Sequence, residues 1–503
     1  MKISLEEEVG GGLKNAIQFP IFFYKTDIVI AQMPISKADS ASSIQIPLWL
    51  IFLQCFSFAI LYSVWILPEI AAWRNTSLVI GAALGLYVSY QYRSLLLNKL
   101  ALPIWLVGIL FLWATFHLLF LSQNPVVQLI EFKGIWKRAL LAVIFALGLG
   151  LSIANNAERI NKWAWPLIYL GLLMPTFIYL LKWTLTFHGQ DILGLTSIPA
   201  YLKVYPGSQL FYVPKTDYVV FCLPTLAVAF GQMLTLLQEK RIQWAQLLLY
   251  GATIAAVSFV FYGQNIKNGF AYVALLFIIF LFALVRASKK KWTPIKVGII
   301  AIAMIGVGFV GYKHIQQNDS WKTFAADYRV AVQIDRNQEW KFAGEKGYPL
   351  NELGKSVSET NYQRVSWGAA GIYLFRENLL GYGLIENSFG PLVNKKWPES
   401  SVHLTHAHSG WLDLALGLGL PGISLVLISL ILALMQTQNL VAPWKSLGRW
   451  TLLSTLLLWC TTEVSNNGNF DPMLFWVIFT ASLALRATDA HSKSSWAIKT
   501  CPF

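Results

Sequence analysis

Long apolar runs separated by short polar segments dominate this chain. Many of the runs approach the ~20 apolar residues that an α-helix needs to cross the hydrocarbon core of a bilayer. The pattern therefore predicts twelve transmembrane helices. The predicted spans lie near Leu48–Leu67, Leu78–Tyr90, Pro103–Leu121, Ala139–Ala154, Trp163–Leu181, Tyr218–Leu237, Ala245–Tyr262, Phe270–Val285, Val297–Tyr312, Trp411–Leu434, Thr451–Val464 and Met473–Leu485.

These spans divide the chain into five predicted parts. Residues 1–47 form a leader that is interfacial or disordered, because Lys25 and Asp27 interrupt its apolar stretch. The remaining parts are 48–312 with spans one to nine and a loop near 182–217, a large loop at 313–410, 411–486 with spans ten to twelve, and a tail at 487–503. No cleavable signal peptide is predicted, since a charged start, an apolar centre and a small-residue cleavage site do not follow one another.

The distribution of lysine and arginine predicts the orientation of the spans. A cytoplasmic N-terminus places most short basic loops and the tail inside, as the positive-inside rule requires. The loops near 182–217 and at 313–410 then face outward, and long loops translocate regardless of charge. The segment "EFKGIWKR" goes against this arrangement, because it puts Lys137 and Arg138 outside in a short loop. Either the fourth span is misassigned or these charges are kept outside for a reason.

Composition supports an all-α, polytopic helical membrane protein. Hydrophobic residues make up 56% of the chain and charged residues 13%, against about a quarter charged in a soluble domain. The net charge is +14. Basic cytoplasmic loops that face anionic headgroups account for most of this excess. We therefore expect membrane lipids, and no nucleic acid, among the partners.

The large loop contains two predicted helices. Phe324, Tyr328 and Val332 recur at helical spacing within Ser320–Trp340, which predicts an amphipathic helix. Thr360–Gly383 predicts a second helix that ends in a glycine-rich turn. A long loop with its own helices is usually functional, and its place above the bilayer predicts a lid or roof over a cavity.

Three of the seven histidines, His403, His406 and His408, lie within six residues ahead of the tenth span. They could hold a metal, pack at the interface, or supply one base or phosphate ligand, since the histidine pKa is ordinarily near neutral. Their spacing matches no common zinc motif, and the one nearby carboxylate is Asp413. We therefore predict neither a metal nor another cofactor.

Arg364, in the second predicted loop helix, has two possible roles. It could be an ordinary helix charge that pairs with Glu359 or Glu377. Alternatively it could bind a phosphate group, for which the rigid fork of guanidinium donors is suited. Only a resemblance of the surrounding sequence to a known family distinguishes between these two roles.

Two stretches resemble the superfamily of O-antigen ligases, O-antigen polymerases and O-oligosaccharyltransferases. In "THAHSGWLDLALGLGLPG" the matching residues are His408, Ser409, Trp411, Leu412, Gly419 and Gly422. In "NYQRVSWGAAGIYLFRENLLGYG" they are Arg364, Trp367, Gly381 and Gly383, with Leu379–Leu380 where the family often has a proline. The large loop between the ninth and tenth predicted spans completes the likeness.

The resemblance implies a GT-C-like glycosyltransferase of the bacterial inner membrane with its active site facing the periplasm. The donor would be a glycan on undecaprenyl diphosphate, and the acceptor of a ligase would be lipid A-core oligosaccharide. No nucleotide or metal is expected in this family. A polymerase would use the same donor with a second lipid-linked glycan, and an oligosaccharyltransferase would modify an exported protein. Outside this class, a lipid-linked glycan flippase or transporter would need charged residues near the bilayer midplane, where the predicted spans carry almost none.

A departing lipid diphosphate requires fixed cations at the membrane surface, where charge is costly. We expect Arg364 to be catalytic and His408 to act as a base or phosphate ligand. The substrate-binding candidates are Lys137, Arg138, Lys203, Lys215, Lys267, His406 and Arg376. His406, two residues earlier, is expected to point in another direction on regular structure and only to support His408. Glu386 and Glu463 are the alternative bases.

Overall fold

The computed structural model describes residues 46–194, 198–204, 211–238, 243–287, 294–317, 319–386, 388–462 and 469–486. Within these residues the chain is helical, and the one β-type pairing is an isolated bridge between Leu350 and Ser356. Seven helical segments of this described part are long and apolar enough to cross a membrane. The chain is therefore a polytopic α-helical membrane protein, as predicted. The predicted leader, as far as residue 45, and the tail at 487–503 lie outside the described residues.

The helices divide into a bundle and a smaller set in the large loop. The bundle helices are α1 (Leu48–Trp65), α2 (Ala71–Gln91), α3 (Leu102–Phe116), α4 (Pro125–Glu131), α5 (Lys137–Leu193), α6 (Lys215–Gln238), α7 (Trp244–Gly263), α8 (Lys267–Ala287), α9 (Pro294–Gln317), α13 (Gly410–Gln436), α14 (Trp444–Leu458) and α15 (Phe470–Leu483). The loop helices are α10 (Asp319–Ala331), α11 (Glu359–Glu377) and α12 (Phe389–Lys396).

Helix α5 contains two predicted spans, Ala139–Ala154 and Trp163–Leu181, in one helical run of 57 residues. The loop predicted between these spans is therefore helical, and so is the start of the loop predicted near 182–217. A straight helix of this length would extend about 85 Å, nearly three times the ~30 Å core of a bilayer. The run must therefore fold back if both halves are to cross one membrane.

The first part of α5 runs antiparallel to α1. Near the C-terminal end of α1, the indole of Trp65 donates to Asp471, which also accepts hydrogen bonds from Arg138 of α5. Nearer the N-terminal end of α1, Gln54 accepts a hydrogen bond of 2.7 Å from Ser152. As the residue number rises along α5, it therefore falls along α1.

The second part of α5 runs parallel to α1. The rings of Phe52 and Trp163 lie 5.7 Å apart, and further along both helices Gly171 packs directly against Ala59. Residue numbers now rise together along the two helices. The two parts of α5 are thus antiparallel arms, and the chain reverses between them at the same end of the bundle as the start of α1.

Helix α15 lies at the centre of the bundle. All fourteen of its residues are buried, and it packs against α5, α13, α14 and α3. A helix that is apolar on every side is stable in such a position because it is surrounded by other helices. Helix α9 has the opposite environment, because Ile302, Ile305 and Phe309 are all more than half exposed, as expected of side chains that face lipid.

The first predicted loop helix is present but shorter and differently oriented than expected. It ends at Ala331, and its buried face is organised by Asp327, whose carboxylate accepts hydrogen bonds from Asn351 and Asn361. The predicted apolar face points outward because the polar contacts of Asp327 occupy the opposite, buried face of the helix. The exposed apolar residues are Phe324, Tyr328 and Val332.

The large loop is an ordered subdomain with its own hydrophobic core. The second predicted loop helix is α11, and the glycine-rich turn follows it as predicted. The core residues from α11 and α12 are Tyr362, Trp367, Ala370, Leu374, Phe389 and Val393, together with Trp340 and Leu404. Leu416 of α13 belongs to the same core, so the subdomain is packed onto the first half of α13.

Helix α13 is broken at Gly419, where the glycine-rich turn packs against it. Gly419 has φ 68° and ψ −172°, a conformation that is essentially restricted to glycine. Backbone bonds join the two segments, from Tyr382 N to Leu416 O at 2.7 Å and from Leu420 N to Leu379 O at 2.7 Å. The motif glycines therefore permit two backbones to approach closely at this end of α13.

Replacing Gly419 by alanine is expected to destabilise the fold strongly. A Cβ there would lie 2.2 Å from the carbonyl carbon of Leu380, in addition to a backbone strain of about 1–3 kcal/mol. Thermal unfolding in detergent should show a large loss of stability for Gly419→Ala. Gly108→Ala is the matched control, because a Cβ at Gly108 meets nothing within 4 Å. Equal stability of the two variants would contradict this account.

Candidate active site

Arg364 and the start of α13 meet at the short segment that follows α14. The guanidinium of Arg364 donates to the backbone oxygen of Thr461 at 2.9 Å. The next residue, Thr462, accepts a hydrogen bond of 2.7 Å from the backbone N–H of Gly410, the first residue of α13. The segment Thr461–Thr462 therefore positions both the predicted catalytic arginine and the start of α13, which directly follows the histidines.

His408 lies directly beside the helix that carries Arg364. Its imidazole stacks face to face on the indole of Trp367, with ring centroids 5.1 Å apart and planes 7° apart. Trp367 follows Arg364 by three residues on α11, so the two side chains share one face of that helix. The two predicted catalytic residues are thus brought together at one end of the bundle, the site end.

His406 does not face away from His408, contrary to expectation. The two imidazoles are in edge-to-face contact with centroids 4.7 Å apart. The segment that carries both residues is not helical, and His408 itself has a φ of 57°, so the rotation that two residues of a helix would place between the side chains is absent here. Within the described part of the chain, no group of three or more His, Cys, Asp or Glu side chains is arranged to hold a metal ion.

Asp413 organises the turn that carries His408. It is 1% exposed, and its carboxylate accepts a hydrogen bond of 3.2 Å from the backbone N–H of Ala407. It also lies in the first turn of α13, where the helix dipole favours a negative charge. Asp413 therefore holds the backbone next to His408 rather than acting from a distance as a metal-site partner.

Two lysines add positive charge near Arg364. Lys267 begins α8 and is half-buried, and both Arg364 and Lys215 act on it electrostatically. Lys215 begins α6 and is exposed. Three of the predicted cations therefore form one cluster at the site end, contributed by three different helices.

Tyr272 is a site residue that the sequence reasoning missed. Its hydroxyl donates to the backbone oxygen of Leu458 at 2.7 Å and lies 2.5 Å from the hydroxyl of Thr461. The Tyr272 hydroxyl therefore stabilises the segment that binds Arg364. The one signal in the sequence is a tyrosine five residues after Lys267 near the start of an otherwise apolar helix, which is too common a pattern to single out.

Arg138 is committed to a buried ion pair, so it is not available as an open substrate cation. Its guanidinium donates to both carboxylate oxygens of Asp471 at 2.8 and 3.1 Å, and the two side chains are 10% and 0% exposed. This pair explains why the segment "EFKGIWKR" keeps a charge at the site end. Lys137, the preceding residue, is exposed at the same end of α5.

Two predicted cations remain, Arg376 and Lys203. Arg376 is exposed near the end of α11, twelve residues after Arg364 and so about 18 Å further along the helix. It therefore does not belong to the cluster around Arg364. Lys203 is half-buried next to Val204, whose backbone N–H donates to Thr186 in the last turns of α5.

Glu386, one of the two alternative bases, lies beside Glu131 and Arg138. The backbone N–H of Glu386 donates to the carboxylate of Glu131 at 2.9 Å, close to Arg138. Burial raises the pKa of the Glu386 carboxyl above its ordinary value, and the positive charge of Arg138 opposes this shift. Glu463 lies outside the described residues.

Comparison with known proteins yields one family. Residues 267–427 match the family described as O-Antigen ligase, and no curated protein matches the chain. The matched segment runs from Lys267 through the large loop to the broken part of α13, so it contains Arg364, His406 and His408. This similarity over residues 267–427 is consistent with the O-antigen ligase superfamily that the motifs resemble.

Proposed function

We propose that this protein is an O-antigen ligase that transfers a glycan from undecaprenyl diphosphate to lipid A-core oligosaccharide at the periplasmic face of the inner membrane. The observation that carries the proposal is the meeting of Arg364 and His408 at one end of the bundle, with Lys215 and Lys267 beside them. The family match supports glycan transfer of the ligase or polymerase type. Donor, acceptor and residue roles are parts of the proposal.

Positive charge held in advance is the main requirement of such a transfer. When the anomeric carbon leaves the diphosphate, negative charge grows on the departing oxygens near a medium of low dielectric constant. Arg364, Lys267 and Lys215 would stabilise that charge more strongly than water could, because their positions are already fixed. The bond from Arg364 to Thr461 holds one guanidinium nitrogen and leaves the other donors for phosphate oxygens.

His408 would act on the other side of the reacting bond. Stacking on Trp367 fixes the plane of the imidazole, so its nitrogens have defined directions. One nitrogen would take the proton from the acceptor hydroxyl as a general base, or it would donate a hydrogen bond to the phosphate. The pH dependence of transfer separates these roles, because a base must be neutral and a donor to phosphate gains from protonation.

The proposal is tested by reconstitution of the purified protein with undecaprenyl-diphosphate glycan. Rough lipopolysaccharide, an exported protein such as a pilin, and a second lipid-linked glycan are offered as acceptors in separate reactions with excess EDTA. We expect only the lipopolysaccharide to receive glycan. Modification of the protein would make the chain an oligosaccharyltransferase, and polymerised lipid-linked glycan would make it a polymerase. Loss of transfer that zinc restores would point to a metal site at the histidines.

Replacing His408 by alanine is expected to lower the rate of transfer by about 10²- to 10⁴-fold, the usual range for loss of a positioned acid or base. His403→Ala is the matched control, because the His403 side chain is 76% exposed and interacts with Glu345 at 3.9 Å. Transfer is measured as laddered lipopolysaccharide at equal protein level in the membrane. Normal ladders from His408→Ala would remove the assignment.

A further inference from the structure

An apolar groove runs between α3 and α13 on the outer surface of the bundle. Its volume is about 450 Å³, within the range of small-molecule sites. Its lining includes Leu112, Trp113 and Phe116 of α3 and Pro421, Leu425 and Ile428 of α13. The indole N–H of Trp113 donates to the backbone oxygen of Leu418 at 2.7 Å, just before the break in α13. The groove is therefore lined by apolar side chains, its two helices are joined by a hydrogen bond, and it is open toward the lipid.

A polar pocket of about 240 Å³ lies above one end of this groove. Its lining includes Gln123, Asn124, Tyr382, Ser388 and Lys395. The ammonium group of Lys395 donates to the side-chain oxygen of Gln123 at 3.0 Å, so it bridges the two sides of the pocket. The pocket thus offers a cation, an amide and hydroxyl groups within a small volume.

The same two walls form the groove and the pocket. One wall is α3, which continues through His117–Leu121 to Gln123. The other is the broken part of α13 together with the glycine-rich turn, joined by the bond from Tyr382 N to Leu416 O. Exposed apolar side chains lie between the two cavities: Leu119, Phe120, Leu379, Leu380 and Leu420. An amphiphile with its chain in the groove would place its headgroup in the pocket.

Ser388 supplies an independent indication of a ligand. The residue is 1% exposed, and its hydroxyl has no hydrogen-bond partner among the described residues. A buried hydroxyl without a partner is unfavourable by about 1–3 kcal/mol. Because Ser388 lines the pocket, a polar headgroup bound there would satisfy it.

The pocket adjoins the active site without overlapping the cation cluster. Phe389, next to Ser388, packs against Trp367 with ring centroids 6.2 Å apart, and Trp367 stacks on His408. The rings of Phe389 and Trp367 therefore lie between the pocket and His408, on the side of α12. Lys215 and Lys267 lie at the starts of α6 and α8 instead.

We propose that the groove and the pocket together are the docking site of the acceptor lipid, a membrane-anchored glycolipid with a phosphate- and hydroxyl-bearing headgroup. An acyl chain occupies the α3–α13 groove, and Ser388, Gln123 and Lys395 bind the headgroup. This inference rests on the proposed function, because the cation cluster is assigned to the donor. Two lipids then approach the same histidine from different sides, which avoids competition between them.

The site is tested first by photocrosslinking in nanodiscs of phosphatidylethanolamine. One probe is lipid A with a diazirine in an acyl chain, and the other is phosphatidylethanolamine with the same group. We expect lipid A to label peptides that contain 109–116 and 421–428, and unlabelled lipid A to compete. Equal labelling by phosphatidylethanolamine, displacement by undecaprenyl-diphosphate glycan, or labelling of other helices alone would overturn the proposal.

Kinetics of two matched pairs of variants provide the second test. Lys395→Ala is expected to raise the KM for the acceptor about tenfold, the effect of one lost charge-assisted hydrogen bond, and to leave the donor KM unchanged. Lys396→Ala is its control, because Lys396 binds Glu377 on the surface and is outside the pocket. Leu112→Trp, which fills the groove, is expected to act like Lys395→Ala, whereas Leu248→Trp is its control on α7, where the side chain is 69% exposed and lines neither cavity.

The two proposals fail in different ways. Specific labelling by lipid A without transfer to any lipid acceptor would refute the ligase function and leave the lipid site standing. Transfer to lipopolysaccharide with an acceptor KM that none of these variants changes would support the ligase function and refute the docking site.

Discussion

Replacing Arg364 by alanine is expected to lower glycan transfer by about 100-fold or more, the usual result of removing one preorganised donor to developing negative charge. The protein level in the membrane should not change, because among the described residues Arg364 is hydrogen-bonded to the bundle through one backbone oxygen, that of Thr461. Transfer is measured in the reconstituted system and as laddered lipopolysaccharide in cells. The loss should appear in kcat, since the charge on the diphosphate grows in the transition state.

Two further variants sharpen this prediction. Arg376→Ala is the matched control, because it removes an arginine from the same helix about 18 Å away. It should retain normal transfer. Arg364→Lys should recover part of the activity, since an ammonium group keeps the charge and loses the fork of donors. A fully active Arg364→Ala protein, or equal losses from Arg364→Ala and Arg376→Ala, would remove Arg364 from the site.

Replacing Arg138 by alanine is expected to destabilise the whole bundle. The variant removes the two-oxygen partner of Asp471 and leaves this carboxylate with the Trp65 hydrogen bond and the charge of Arg74, on a helix whose residues are all buried. Loss of one member of a buried ion pair costs about 3–5 kcal/mol, which is a large fraction of the stability of many proteins. We therefore expect little folded Arg138→Ala protein in the membrane and a much lower unfolding temperature in detergent.

The neighbouring lysine provides a matched control for Arg138. Lys137→Ala removes an exposed charge one residue earlier and should leave both protein level and unfolding temperature near normal. The double variant Arg138→Met with Asp471→Leu should regain stability relative to Arg138→Ala, because it removes the unpaired charge together with its partner. A stable Arg138→Ala protein that binds the donor poorly would instead return Arg138 to the substrate-binding residues.

Much of the architecture was predictable from local patterns. The membrane class and the approximate positions of the helices follow from runs of apolar residues, because a bilayer imposes one length and one polarity on whatever crosses it. Helix α11 and the glycine-rich turn were also expected. The motifs indicated Arg364 and His408, which the structure brings to the same end of the bundle.

The sequence failed where the answer depended on residues far apart in the chain. The pairing of Arg138 depends on which helix stands opposite it, because Asp471 follows it by 333 positions. The contact between His406 and His408 depends on the non-helical course of the segment before α13. Tyr272 could be recognised as a site residue only from the structure, in which α8 lies beside the end of α14 and the segment that follows it.

The amino-acid sequence thus determined the kind of protein and the approximate positions of its apolar helices, and its motifs singled out Arg364 and His408 as the proposed catalytic residues. Each of these depends on hydrophobic length or on a short motif, which are properties of neighbouring residues. The tertiary structure decided that α5 folds back on itself, that the last helix occupies the centre, and which cations cluster near Arg364. Apolar helices carry almost no information about their partners in their own composition, because lipid and another helix are similar surroundings for a leucine side chain.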